Sequence, residues 1–367
     1  MHTETFLNNQ FKKTLDIIND INSDINEIVR HINKYTDFNK FIIKLKNNET
    51  DSKTLLTKLF SKADINIELF LIIIDEINKI EGNYKKTYCN EYKLFMILQL
   101  EDNINKWKAL QKLLFYSPNN KKSRHYETLR SQFQRWCCKG IFKKAFVNLL
   151  PYEKLLCLEN NSCIKELEFN NELYIVDILK DFFIDSTMIN NLRGSENIII
   201  NPELKKKKVT KITEISDVDG FVVSVCFNNP MTKKIKFYNE DIIINTAKND
   251  RNCINETFNN SNITLEDIYL IGDKGYKIKD NNNINYKVIT PNKKNQKKRL
   301  INRHLSKKMN FRHIVENSIN GWKHKERINL RKDKKIITFS GWVYLSLLNH
   351  NLNINKIKKE IYTEEIK

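Results

Sequence analysis

The sequence predicts an α/β protein, a mixed sheet flanked by helices and preceded by an all-α N-terminal region. Three observations carry that expectation. In the early part of the chain apolar residues recur at helical spacing, as at Leu15, Ile18, Ile21 and Ile25, with no Gly before Gly82 and no Pro before Pro118. Beyond about residue 172, short β-branched runs bounded by turn residues take over, among them Val209 to Ile215 and Phe221 to Phe227 around Asp217-Val-Asp-Gly220. Helical patterns are then interleaved with further strands, the layer order of a mixed sheet.

Composition bounds the class. With 367 residues, 40% hydrophobic and 29% charged, the chain suits a soluble globular protein of two domains with a sizeable core. Its 63 Lys and Arg against 44 Asp and Glu favour a polyanionic partner, most often nucleic acid, over the alternative of a merely solubilising surface. The N-terminus has no cationic stub leading into an apolar core, and the longest apolar run, Leu69 to Ile74, is too short to span a bilayer. A soluble, intracellular protein without a membrane partner is therefore expected. Seven cysteines, odd in number and without paired metal spacing, suit a reducing compartment, and Cys157 and Cys163 are not read as zinc ligands.

In chain order, residues 1–85 read as a helical extension, whether bundle, dimerisation arm or addition to the core protein. Residues 86–150 hold a helix from Tyr92 to Leu100, a second from Trp107 to Phe115, a turn at Ser117-Pro-Asn-Asn120 and a basic helix from Arg124 to Trp136. That last helix gathers Tyr126, Leu129, Phe133 and Trp136 on one face, with Arg124, Arg130 and Arg135 largely elsewhere, and Gly140 closes it. The order matches a helix-turn-helix DNA reader, although a small helical domain with a polar outer face would look similar. Residues 151–172 read as a linker. The span 173–355 reads as the sheet domain: strands at 173–179 and 182–184, the 209–227 hairpin, a helix at 239–248, strands at 268–272 and 286–290, a basic loop at 292–303, and helices at 306–328 and 339–348. Residues 356–367 are left as a tail.

Three acids stand out. Asp185 follows a strand and enters a Ser-Thr turn, and Asp273 follows the apolar run Ile268 to Ile271 and enters Asp273-Lys-Gly-Tyr276. Glu316 needs a helix argument. Val315, Ile319 and Trp322 form a buried stripe, which puts Arg312, Glu316, Asn320, Lys323 and Arg327 on a neighbouring polar one. Three carboxylates meeting at strand ends would bind divalent metal through oxygen and support phosphoryl transfer. From Asn292 to Lys335 sixteen Lys or Arg stand against three Asp or Glu, cations suited to a phosphate backbone. Singly, Asp273 also reads as a turn residue, Asp185 as a cap and Glu316 as a solvent-facing partner of Arg312. Taken together, their order and context favour a site.

These residues resemble those of bacterial insertion-sequence transposases of the DDE class, whose catalytic domain is RNase H-like. Asp185, Asp273-Lys274-Gly275-Tyr276, and Arg312, Glu316 and Lys323 occupy the positions of that family's first acid, its Asp-Lys-Gly-Tyr motif and its Tyr-x-x-Arg-x-x-x-Glu-x-x-x-x-x-x-Lys helix. Lys325, Arg327, Arg331 and Lys334 resemble the family's basic continuation, and Trp136 with Gly140 its Trp-x-x-x-Gly pattern. The resemblance covers roughly residues 88–350. It departs at Met309, where the family has tyrosine, at Asp185-Ser-Thr187 in place of Asp-Gly-Thr, and at the insert Lys205 to Lys208, an extra DNA-binding loop or a solvated lysine run. The resemblance implies hydrolysis at transposon ends followed by attack of the freed 3′-hydroxyl on target DNA. Asp185, Asp273 and Glu316 would ligate two Mg²⁺, with Mn²⁺ able to substitute. Lys274, Arg312, Lys323, Arg327 and Arg331 would contact double-stranded DNA, with Arg124, Arg130 and Arg135 in the reader helix. A homodimer on paired ends would act DNA-associated, in a bacterial cytoplasm, a nucleus or a viral factory. Two alternatives share the pattern: a catalytically silent DNA-binding descendant, and a structure-selective nuclease on the same fold.

Overall fold

The computed structural model describes residues 60, 65–81, 90–102, 107, 125–151, 164–169, 172–177, 180–201, 207–237, 240–246, 250–258, 260, 268–277, 286–291 and 308–365. The expectations for residues 1–59, the turn at Ser117 to Asn120, Arg124, Lys205, Lys206 and the basic loop 292–303 lie outside them. The chain divides into two compact units, residues 1–142 and 143–367.

In the first unit, α1 (Ile67–Glu81) opens where the Asn66 side chain accepts from the amides of Glu68 and Leu69, a side-chain N-cap. It buries Phe70, Ile73, Ile74 and Ile77; α2 (Asn90–Asp102) and α3 (His125–Cys138) follow. As the spacing predicts, Leu129, Phe133 and Trp136 of α3 are buried while Arg130 and Arg135 are exposed, and Gly140 ends the helix at φ +68°. Buried Glu81 accepts from Gln132 and Lys139, tying the end of α1 to α3. The next helix, α4 (Ile141–Asn148), crosses the division between the units.

The second unit is an open mixed sheet flanked by helices. β1 (Ile164–Phe169) and β2 (Glu172–Asp177) pair antiparallel, so the stretch expected as a linker contains a strand. Next come β3 (Asp181–Asn191), β4 (Ile199–Asn201), β5 (Lys207–Ser216) and β6 (Val222–Phe227). The β5–β6 hairpin is as the sequence predicts, with Gly220 at φ +81° and Asp217 accepting from the amides of Asp219 and Phe221. β7 (Met231–Phe237) and β8 (Glu240–Thr246) form a separate antiparallel pair. The helix expected at 239–248 is thus a strand: the β-branched run Ile242-Ile243-Ile244 loses χ1 freedom in a helix and fits a ladder.

α5 (Asp250–Phe258), β9 (Ile268–Ile271), β10 (Tyr286–Ile289), α6 (His313–Lys323), α7 (Glu326–Asn329), β11 (Leu330–Arg331) and α8 (Ile336–Glu365) complete the unit. The main sheet runs β10-β9-β3-β5, with β4 and β6 on the far edge of β5 and β11 added to β3. β5 and β6 are antiparallel neighbours, whereas β9, β10 and β11 join by parallel pairing. Strand alternation sends Ile184 and Ile215 into one core, with Phe182, Leu270, Tyr276 and Ile254 of α5. Asp185 and Glu214 point the other way, where α6 buries Val315, Ile319 and Trp322.

Two helical expectations change. The span 306–328 is broken into a 3₁₀ turn, Met309–Arg312, then α6 and α7, with His324 and Lys325 turning the chain so that Arg327 and Ile328 are buried. α8 runs through Glu365 and absorbs most of the expected tail. Among the described residues no helix is long and apolar enough to cross a membrane, and Cys137, Cys138, Cys226 and Cys253 are free thiols.

Candidate functional site

β3 is the strand on which the site is built. Its parallel pairing with β9 matches Asp181 to Tyr269 and Phe183 to Ile271, an offset of 88 residues. Asp185 and Asp273 are separated by that same offset, so continuing the register two residues past Ile271 brings the two acids abreast. Asp185 is not at a strand end, however. β3 continues unbroken to Asn191, because β5 pairs with it from Phe183 to Asn190. On its other edge β9 stops at Phe183 and β11 begins only at Asn190. The notch between them exposes part of a central strand, doing for Asp185 what a strand end would do.

The Asp273-Lys-Gly-Tyr276 motif is fixed by its own chemistry. Asp273 caps a 3₁₀ turn, its Oδ1 accepting from Gly275 N at 2.7 Å. Tyr276 is buried, and its hydroxyl meets Ser186 Oγ at 2.6 Å, pinning the turn to the residue beside Asp185. Gly275 is there for space. A Cβ would stand 2.5 Å from Asp250 Oδ2, in a carboxylate held by Lys211, and 2.9 Å from Asp273 Oδ1. Gly275→Ala is expected to displace the Asp273 carboxylate and lower any activity of the site by ~10²-fold, with far less effect on the melting temperature; a variant as active as wild type would show that the turn does not position Asp273.

Glu316 lies on α6, half-buried and paired with Arg312, whose Nε stands 3.1 Å from Glu316 Oε1 and whose Nη2 donates to the same oxygen. Both of the other acids act on Asp185. Burial chiefly raises the Asp185 pKa; the Ser186 amide and Arg312 oppose it, and Asp273 and Glu316 add to it. Arg312 is held more firmly protonated, first by its hydrogen bond to Glu316, with Asp185 and Asp273 contributing. Asp185, Asp273 and Glu316 are thus within electrostatic reach around one guanidinium. Among the described residues no three His, Cys, Asp or Glu side chains are grouped closely enough to hold a metal ion in this arrangement. The donors are all carboxylate oxygen, the chemistry of Mg²⁺ or Mn²⁺ rather than of zinc.

Compared with protein-family models, curated proteins and solved structures, the chain has no significant match.

Of the expected DNA-contacting residues, Lys274 is exposed beside Asp273. Lys323 is half-buried, its Nζ donating to Thr187 Oγ1 at 2.7 Å and to the Met188 carbonyl at 3.3 Å, inside the notch; desolvation lowers its pKa. Arg130 and Arg135 face solvent in their own unit. Arg327 and Arg331 do not fit the expected role. Arg327 is 3% exposed, with its guanidinium 4.6 Å from the Trp342 ring centre. Arg331 is fully buried and donates to the carbonyls of Glu196, Asp333 and Lys334 and to Thr210 Oγ1. Both are committed to the fold, which a count of basic residues could not reveal. Met309, at the departure from the family's tyrosine, is half-buried in the 3₁₀ turn.

One residue of the site went unread in the sequence. Glu214 faces Asp185 directly across the β3–β5 ladder and is completely buried. The signal was present, since Glu214 shares the strand face of Ile212, an inward position for period-two alternation. Burial pushes its pKa to about 8, with neighbouring Ser318 and the hydrogen bond from Trp322 opposing it and Asp185 adding to the rise. Because the folded state holds this proton more tightly than the unfolded one, the associated stability is complete below pH 4.5 and is lost as pH rises to about 8. Denaturant midpoints measured across pH 5 to 8 are expected to fall more for wild type than for Glu214→Gln; parallel curves would contradict a protonated Glu214.

Proposed function

We propose that this chain is a DNA transposase of the DDE type, with an RNase H-like domain that cleaves DNA in a metal-dependent reaction and joins the freed end to target DNA. The observation that carries the proposal is the shared register of Asp185 and Asp273, with Glu316 and Arg312 brought within electrostatic reach from a helix more than forty residues further on. The sheet order supports the fold, three antiparallel strands extended by two parallel ones on the opposite edge of β3.

Bound Mg²⁺ would lower the pKa of a water or 3′-hydroxyl nucleophile and stabilise the leaving oxygen. Asp185, Asp273 and Glu316 would hold the ions. Arg312 would present its guanidinium fork, and Lys323 a compact charge, to phosphate oxygens beside the scissile bond. Lys274, exposed next to Asp273, would extend that contact along the strand. In the other unit, Arg130 and Arg135 give α3 a basic face for duplex DNA.

The test is nicking of a plasmid carrying candidate terminal repeats by the full chain. Mg²⁺- or Mn²⁺-dependent nicks at repeat ends, followed by joined products, are expected. Nicks without joining would identify a nuclease, and DNA binding without nicks a silent descendant; either result defeats the transposase reading.

A further inference from the structure

We propose that Glu214 is a positioning residue for this site, setting the rotation and height of α6 through the Trp322 indole and thereby the place of Glu316. The inference rests on the metal-site reading above. It begins from an atom without a partner: Glu214 is completely buried, its Oε2 accepts from Trp322 Nε1 at 2.5 Å, and its Oε1 accepts no hydrogen bond. A buried carboxyl group left half-satisfied is costly in a core, and an apolar residue of similar volume would avoid the cost. Such an expense needs a reason.

Geometry supplies one. Glu214 is the ladder partner of Asp185, so the indole bond fastens α6 to the sheet at the position of the first acid. Trp322 is also held from behind, its carbonyl accepting from Ser346 Oγ of α8 at 2.7 Å, and the next residue, Lys323, donates to Thr187 and Met188 of β3. The apolar contacts of Val315 and Ile319 decide which face of α6 is buried but tolerate adjustments of a fraction of a residue along or around the axis. A hydrogen bond has direction. A rotation of α6 by about 20° moves a side-chain tip, about 5 Å from the helix axis, by ~2 Å, enough to change where Glu316 stands relative to Asp185 and Asp273. The Glu214 carboxyl, with no exposed surface, acts through Trp322 rather than on an ion or DNA.

The experiment uses the full chain without DNA, titrating Mn²⁺ and reading free ion by electron paramagnetic resonance, with a thermal melt and Mg²⁺-dependent plasmid nicking alongside. Glu214→Gln keeps an acceptor for the indole and is expected to bind Mn²⁺ as wild type does. The double variant Glu214→Met/Trp322→Phe removes both polar partners; it is expected to melt close to wild type yet lose ~10-fold in Mn²⁺ affinity and in nicking rate, with DNA affinity unchanged. Trp322→Phe alone, which keeps most of the ring packing, is expected to lose Mn²⁺ affinity similarly even if the double variant folds poorly. A lowered melting temperature with wild-type Mn²⁺ affinity in either variant would reduce the pair to a structural role and overturn the proposal. If instead wild type and Asp273→Ala bind Mn²⁺ equally, the metal-site reading fails first, and this inference with it.

Discussion

Asp273→Ala is expected to abolish metal-dependent nicking, lowering its rate on the order of 10³-fold, while DNA affinity in a gel-shift titration stays the same or rises. The two readouts separate because they draw on different charges. Affinity for DNA comes from cations neutralising phosphates, and removal of a carboxylate takes nothing from that term. Cleavage needs the carboxylate itself, to hold a cation against the reacting phosphate. Asp185→Ala and Glu316→Ala should behave alike, and a combination of two should cost little more than one, since a site missing any ligand is already incomplete. Nicking retained in Asp273→Ala would remove this residue from the chemistry and leave the β3–β9 register without functional meaning.

Arg331→Ala is expected to lower the melting temperature by roughly 10 °C, from a loss of ~3–5 kcal/mol when a buried charged group is removed from its partners. Three backbone carbonyls and the Thr210 hydroxyl would lose their donor at once, while the backbone bonds of Leu192 to Arg331 and of Ser195 to Lys334 would remain. Arg331→Lys should not rescue, because one ammonium cannot reproduce a planar fork serving four acceptors. A phosphate-binding role gives the opposite pattern: unchanged melting, weaker DNA affinity and partial rescue by lysine. Circular-dichroism melts of the two variants decide between them.

The contrast between these residues shows what the sequence could and could not disclose. The place of Asp273 in a turn after a strand was legible because a short apolar run delivering an acid into a glycine turn is a local pattern, and the half-buried place of Glu316 because helical spacing separates a buried stripe from a polar one. The hairpin around Gly220 was legible for the same reason. Arg331 and Arg327 were misread since nothing local distinguishes a cation bound for solvent from one that a turn folds inward; the break at His324 and Lys325 decides it. Asp185 was read as leaving a strand, whereas β3 continues past it. Its exposure depends on where β9 stops and β11 starts, and both lie far along the chain. Glu214 was missed because its meaning comes from Asp185 across the ladder and Trp322 from the opposite layer. The 239–248 stretch was misassigned because three consecutive isoleucines and a strand to pair with favour the ladder over a helix.

The notch in β3 also bears on when the three acids can come together. Its walls are made by β9, 88 residues downstream, and β11, 140 residues downstream, and its floor cation, Lys323, arrives between them. During synthesis, a chain that has emerged only as far as β6 already has Asp185 on a paired strand, yet it has neither Asp273 nor the helix bearing Glu316. Contacts of such long sequence separation form late. A ribosome-bound or prematurely terminated product lacking residues beyond about 310 would therefore hold Asp185 and Asp273 without Glu316, so that the order of translation itself keeps the three acids from meeting until the whole domain exists.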